Sequence, residues 1–91
     1  MRMEIQYKRR FRNQYRNADK EIKAAFAHTL ELFVEDPHHA SLRKHPLTGR
    51  FAGYRSIDVT GDWRAIFTVS VVGERRVAIF HLLGTHDTLY G

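Results

Sequence analysis

Ninety-one residues leave room for one domain, residues 1–91, and burial of about two-thirds of the unfolded chain's surface at best. The chain has no cysteine, which excludes disulfides and thiolate metal sites and fits a cytoplasmic setting, and 43% apolar against 27% charged residues argues against disorder. The net charge of +5, with 11 arginines among 15 basic residues, suits an anionic partner such as RNA, DNA or an acidic protein.

The N-terminal MRMEIQYKRR carries basic residues with no apolar run after them, so it does not read as a secretory signal. No apolar stretch approaches the roughly 20 residues of a membrane helix. Met3 to Tyr7 alternates apolar and polar and predicts a short strand. Tyr7, Phe11 and Tyr15 then recur every four residues, the stripe of a helix over about 8–17 whose other face is basic. Asp19 is placed to cap a second helix over about 20–35, with Ile22, Ala25, Phe26, Thr29, Leu30 and Phe33 on its apolar side. Asp36-Pro37 stops it.

The connection from His38 to Arg50 is long for a plain loop, and Leu42 and Leu47 are expected to pin it to the core. Three strands follow: Tyr54 to Val59, Trp63 to Val72 and Arg75 to Leu83, separated at Gly61 and Gly73. In the first, Ile57 and Val59 share one face while Tyr54, Ser56 and Asp58 share the other. His81 alternates in phase with Val77, Ile79 and Leu83 and reads as a half-buried structural residue. Gly84 is expected to end the last strand and leave a tail, Thr85 to Gly91. The fold class is α+β in the order β-α-α-β-β-β, a mainly antiparallel sheet packed on a two-helix hairpin.

No metal-ligand spacing, phosphate-binding glycine loop or nucleophile elbow occurs, so neither a metal nor another cofactor is expected. Acid–base chemistry remains, with His45, Asp58, Asp62, His81 and His86 as candidates and Arg55 and Arg64 as charge stabilisers. RNA carries its own nucleophile, the ribose 2′-hydroxyl. Cutting it requires a base, an acid and cations for the phosphorane, and no metal.

Five short pieces stand in register over the second half of the chain: His45-Pro46-Leu47-Thr48-Gly49, Gly53-Tyr54-Arg55, Asp62-Trp63-Arg64-Ala65-Ile66-Phe67, Gly84-Thr85-His86 and Leu89-Tyr90. Together with the element order they resemble the RelE superfamily of bacterial toxins, and within it the YafQ branch. The resemblance implies a ribosome-dependent mRNA endonuclease of a type II toxin–antitoxin system, restrained by a small, acidic, partly disordered antitoxin. It implies catalytic roles for His45, Asp62 and His86, RNA stacking or positioning by Tyr90, and phosphate contacts from Arg55 and Arg64. The active face would run from His45 to Trp63 and include His86.

One stretch departs from the pattern. After the Gly-Tyr-Arg piece the branch reads roughly D-x-H-V, whereas this chain has Ser56-Ile57-Asp58-Val59. Ser56 supplies no charge, and at neutral pH the carboxylate of Asp58 is a weaker base than an imidazole. Either Asp58 takes over the histidine's role or catalysis is weakened. The alternatives are therefore a non-enzymatic, ParE-like gyrase poison and an inactive antitoxin-binding homologue, since one fold can host each.

Overall fold

The computed structural model describes residues 3–90; Gly91, the end of the expected tail, lies outside them. Strand β1 (Glu4–Tyr7) is followed by helices α1 (Arg9–Arg16) and α2 (Lys20–Glu35). Then come β2 (His45–Pro46), β3 (Arg55–Asp58), β4 (Trp63–Val72), β5 (Arg75–Thr85) and a short helix α3 (His86–Tyr90). The five strands form one sheet in the order β1-β5-β4-β3-β2. β1 runs parallel to β5, and every other neighbouring pair is antiparallel. The α+β class expected from the periodicities is the one observed.

One face of the sheet carries the core. Ala65 and Phe67 of β4, Ala78, Phe80 and Leu83 of β5 and Ile57 of β3 meet Phe11 of α1 and Phe26 and Phe33 of α2. Phe80 is the hub, with ring centroids 5.3–6.1 Å from those of Tyr7, Phe11, Phe26, Phe33 and Phe67. Tilted and edge-on contacts of this kind add to the area buried. Leu42 joins this core, as its position in the loop suggested. Leu47 instead lines a cleft on the other face of the sheet.

Where β1 ends, β5 continues uncovered, and a side chain takes over the pairing: the Leu83 amide donates to Oε1 of Gln14 at 2.8 Å. Asp19 does occupy the N-cap position of α2, but through its backbone. Its carbonyl accepts from the amides of Ile22 and Lys23 at 3.0 Å, and its side chain makes no capping bond.

Three sequence expectations need correction. Gly84 does not end β5; the strand runs through it to Thr85, and α3 folds back so closely that a Cβ at Gly84 would stand 2.7 Å from Oγ1 of Thr88. The expected tail is a helical turn, α3, with Leu89 buried. The phase of β5 is not constant either. A register shift between Ile66 and Phe67 of β4 puts Phe80 and Leu83 both in the core, although they are three residues apart. The simple alternation grouped His81 with Leu83. The bulge separates them and leaves His81 on the face opposite the core, with Nε2 2.8 Å from Oγ1 of Thr68.

Candidate active site

The face of the sheet away from the helices is partly roofed by the turn Gly49–Phe51 and by α3, leaving a cleft of about 430 Å3. His45, Ser56, Asp58, Arg64, His86 and Tyr90 line it, as do Arg43 and Phe51. The strand pairings explain the convergence. His45 lies opposite Ser56, Asp58 lies opposite Arg64, and Arg64 lies opposite Gly84, two residues before His86. Three strands and one helix therefore each send a polar side chain to one place.

Asp58 and Arg64 form the floor. Nε of Arg64 stands 3.0 Å from Oδ1 of Asp58, with side chains only 19% and 17% exposed. Nη1 of the same guanidinium donates to the carbonyls of Thr60 and Trp63 at 3.0 and 3.1 Å. The group is thus fixed on several sides. Arg43 approaches the other carboxylate oxygen, Oδ2, at 3.6 Å from the exposed rim. Arg43 also has φ 50°, a left-handed backbone that is uncommon for a non-glycine residue. The cleft so holds two guanidiniums and two imidazoles against one carboxylate, a balance that favours an anionic ligand.

The histidines differ in how they are held. Nδ1 of His45 lies 3.0 Å from the carbonyl of Arg43. A carbonyl can only accept, so Nδ1 carries the proton in the neutral ring and Nε2 keeps the basic lone pair. His86 begins α3. Its amide donates to the carbonyl of Asp62 at 3.1 Å, and its ring meets that of Tyr90 at 4.8 Å between centroids. The Oγ of Ser56 and the hydroxyl of Tyr90 are buried at the cleft without a hydrogen-bond partner. Polar atoms so placed ordinarily find one, which marks both as places where a ligand can bond.

Two residues of the expected site stand apart from the cleft lining. Asp62 sits in the turn before β4 with its side chain exposed; its carbonyl anchors the His86 amide, and its own amide bonds to Oγ1 of Thr60 at 3.3 Å. Arg55 is exposed and falls on the opposite face of β3, in phase with core residue Ile57. Its charge, after burial, helps push the Lys44 ammonium below its ordinary range. Conversely, Arg43 lines the cleft although it lies outside the expected span, and Thr48 and Phe51 line it from within that span without having been given roles of their own. Among the described residues no group of three His, Asp or Glu side chains is placed to hold a metal ion, and no helix is long and apolar enough to cross a membrane.

A mixed sheet with one face buried under two helices, and the other carrying a cationic, histidine-bearing cleft, is the architecture of a class of small bacterial toxins. The model of the family described as the bacterial toxin of type II toxin–antitoxin systems, YafQ, matches residues 3–91, and the chain belongs to that family. Among solved structures it is similar to YafQ from E. coli strain BL21(DE3), at 25% identity and a TM-score of 0.72, over 98% of this chain and 99% of that one. The E. coli DinJ–YafQ toxin–antitoxin complex is similar over the full length of both chains, at 24% identity and a TM-score of 0.70. A YoeB/ParE toxin from Agrobacterium tumefaciens shares the fold at 20% identity and a TM-score of 0.75, over 92% of this chain and 99% of that one. Among curated proteins none matches the chain.

Proposed function

We propose that this toxin is an mRNA endonuclease that cuts in the ribosomal A site by attack of a ribose 2′-hydroxyl on the adjoining phosphate, without a metal. The observation that carries this reading is the meeting of His45, with Nε2 left basic, and His86 in one cleft floored by Arg64. His45 Nε2 takes the 2′-hydroxyl proton, O2′ bonds to phosphorus, the bond from phosphorus to O5′ breaks, and protonated His86 delivers a proton to O5′. The products are a 2′,3′-cyclic phosphate and a 5′-hydroxyl. Positioned acid–base groups of this kind contribute about 10²–10⁴-fold each. Arg64, with Arg43 at the rim, stabilises the dianionic phosphorane, for which fixed donors are worth about 10²–10³-fold.

In this scheme Asp58 is not the base. Its carboxylate is engaged by Arg64 and Arg43, so its part is to position the guanidinium. The orphaned hydroxyls of Ser56 and Tyr90 supply bonds to the sugar or phosphate. Asp62 supports His86 through its backbone. The partner is a co-expressed acidic antitoxin whose negative charge meets the +5 of the toxin in the cytoplasm; the similar E. coli YafQ is found in complex with DinJ.

The test is induction without antitoxin, with 5′ ends of cellular transcripts mapped for wild type and His86→Ala. New ends clustered within translated regions, absent in His86→Ala, support the reading. Growth arrest with inhibited gyrase supercoiling and no new RNA ends would replace it with the ParE-like one.

A further inference from the structure

A second hollow, of about 300 Å3, opens on the same face of the sheet and is lined by Lys8, Arg10, Arg50, Phe51, Tyr54 and His81. Phe51 also walls the catalytic cleft, so one ring separates the two. The rings form a continuous series: Tyr90 to Phe51 at 5.8 Å between centroids, Phe51 to Tyr54 at 6.0 Å and Tyr54 to His81 at 4.9 Å. The cations are arranged along it. Nη2 of Arg50 donates to the Leu89 carbonyl at 3.1 Å, and its guanidinium lies 5.2 Å from the Phe51 ring centre. Lys8 and Arg10 are exposed, and among the described residues neither has an acidic partner.

We propose that this second hollow is a binding site for nucleotides flanking the scissile bond, so that one RNA strand runs from the cleft across Phe51 onto Tyr54 and His81, with Lys8 and Arg10 meeting its phosphates. The proposal rests on the reading of the cleft as an RNA site. Aromatic platforms interleaved with unpaired cations are what single-stranded nucleic acid requires, because every base has a face to stack and every linkage a charge. Burial and the nearby Lys8 charge also lower the His81 pKa, which keeps its ring neutral and able to stack at physiological pH. Another aromatic and basic hollow, containing Tyr15, Arg16 and Lys23, lies between the two helices and shares no wall with the cleft. It serves as an internal control.

The experiment is fluorescence anisotropy with 2′-O-methyl oligouridines, whose blocked nucleophile prevents cutting, at low salt. A nonamer is expected to bind at least about tenfold more tightly than a trimer. Lys8→Ala/Arg10→Ala should remove about tenfold of nonamer affinity, leave the trimer unchanged, and reduce the salt slope by about 1.4, since each single-strand phosphate contact contributes roughly 0.7. Arg16→Ala, in the helical hollow, should shift the nonamer by less than twofold. Equal affinity for the two lengths, or an Arg16→Ala loss as large as that of Lys8→Ala/Arg10→Ala, overturns the second site and leaves the cleft standing. Failure of the wild-type protein to bind the nonamer also overturns the second site, whereas the reading of the cleft stands or falls on the mapped transcript ends of wild type and His86→Ala.

Discussion

Asp58 grips Arg64 at 3.0 Å in the floor of the cleft, with both side chains largely buried. A carboxylate held by a fixed guanidinium is better suited to aim that cation than to accept a substrate proton. Asp58→Asn preserves shape and removes the charge that holds Arg64. The expected loss in kcat/KM is about tenfold, smaller than the 10²–10³-fold expected when the cation itself is removed in Arg64→Ala. The pH profile separates the roles. If Asp58 only positions, Asp58→Asn lowers the whole profile and leaves both limbs where they were. If Asp58 is the base, the limb that reports the base disappears.

His45 is the expected base because its Nδ1–H is committed to the Arg43 carbonyl. His45→Gln should cost about 10²–10⁴-fold in cleavage while leaving affinity for a 2′-O-methyl RNA within about threefold. A change in affinity as large as the change in rate would mark His45 as a binding group instead.

The close approach of α3 to β5 makes a further test at a residue outside the chemistry. A Cβ added at Gly84 would stand 2.7 Å from Oγ1 of Thr88 and 3.2 Å from Cδ2 of Leu89. Gly84→Ala must displace the Thr88 and Leu89 side chains of α3, the helix that carries His86 and Tyr90. We expect about 10²-fold lower activity, with a loss of stability of about 1–3 kcal/mol from overpacking, measured by urea unfolding beside single-turnover cleavage. Cleavage at the wild-type rate would show that α3 need not hold its position.

The helix over Lys20–Glu35 was legible in the sequence because its apolar spacing is regular and Pro37 stops it. The alternation in β3 correctly separated Ser56 and Asp58 from Ile57. The same rule, applied to Arg55, sends it to the face away from the cleft, although its motif had drawn it toward the phosphate. The bulge in β5 was not legible, because one extra residue in a strand leaves no compositional mark, and so Leu83 and His81 were grouped together. The place of Arg43 was not legible, because its reach into the cleft depends on a left-handed backbone turn that nothing in its neighbours announces. The helical turn of His86–Tyr90 is shorter than any periodicity can reveal.

His81 gives a pH prediction for stability. Burial, then the Lys8 charge, lowers its pKa below the ordinary histidine value of 6.5. The unfolded chain therefore binds the proton more readily than the folded one, so this stabilisation is present above about pH 6.5 and is lost as pH falls below it. Wild type and His81→Gln should differ in the slope of Tm against pH between 7 and 5, with the variant less steep. Identical slopes would show that protonation of His81 costs the fold nothing.

Phe33 tests the core. It is fully buried, and its ring meets Phe67 at 5.0 Å and Phe80 at 5.8 Å. Phe33→Ala should destabilise by about 3–5 kcal/mol, close to the whole stability of a domain of this size. Phe33→Leu should cost much less and remain active, so chemical denaturation of the pair reads the packing directly.

The most direct test of the central claim is cleavage of a synthetic mRNA held in the ribosomal A site, comparing an all-ribose strand with one carrying a single 2′-deoxy residue immediately 5′ to the scissile phosphate. The expected result is cutting of the all-ribose strand to a 2′,3′-cyclic phosphate and a 5′-hydroxyl, with the deoxy strand intact at that position and His86→Ala unable to cut either. Equal cutting of both strands, or no cutting of the all-ribose strand, would contradict it.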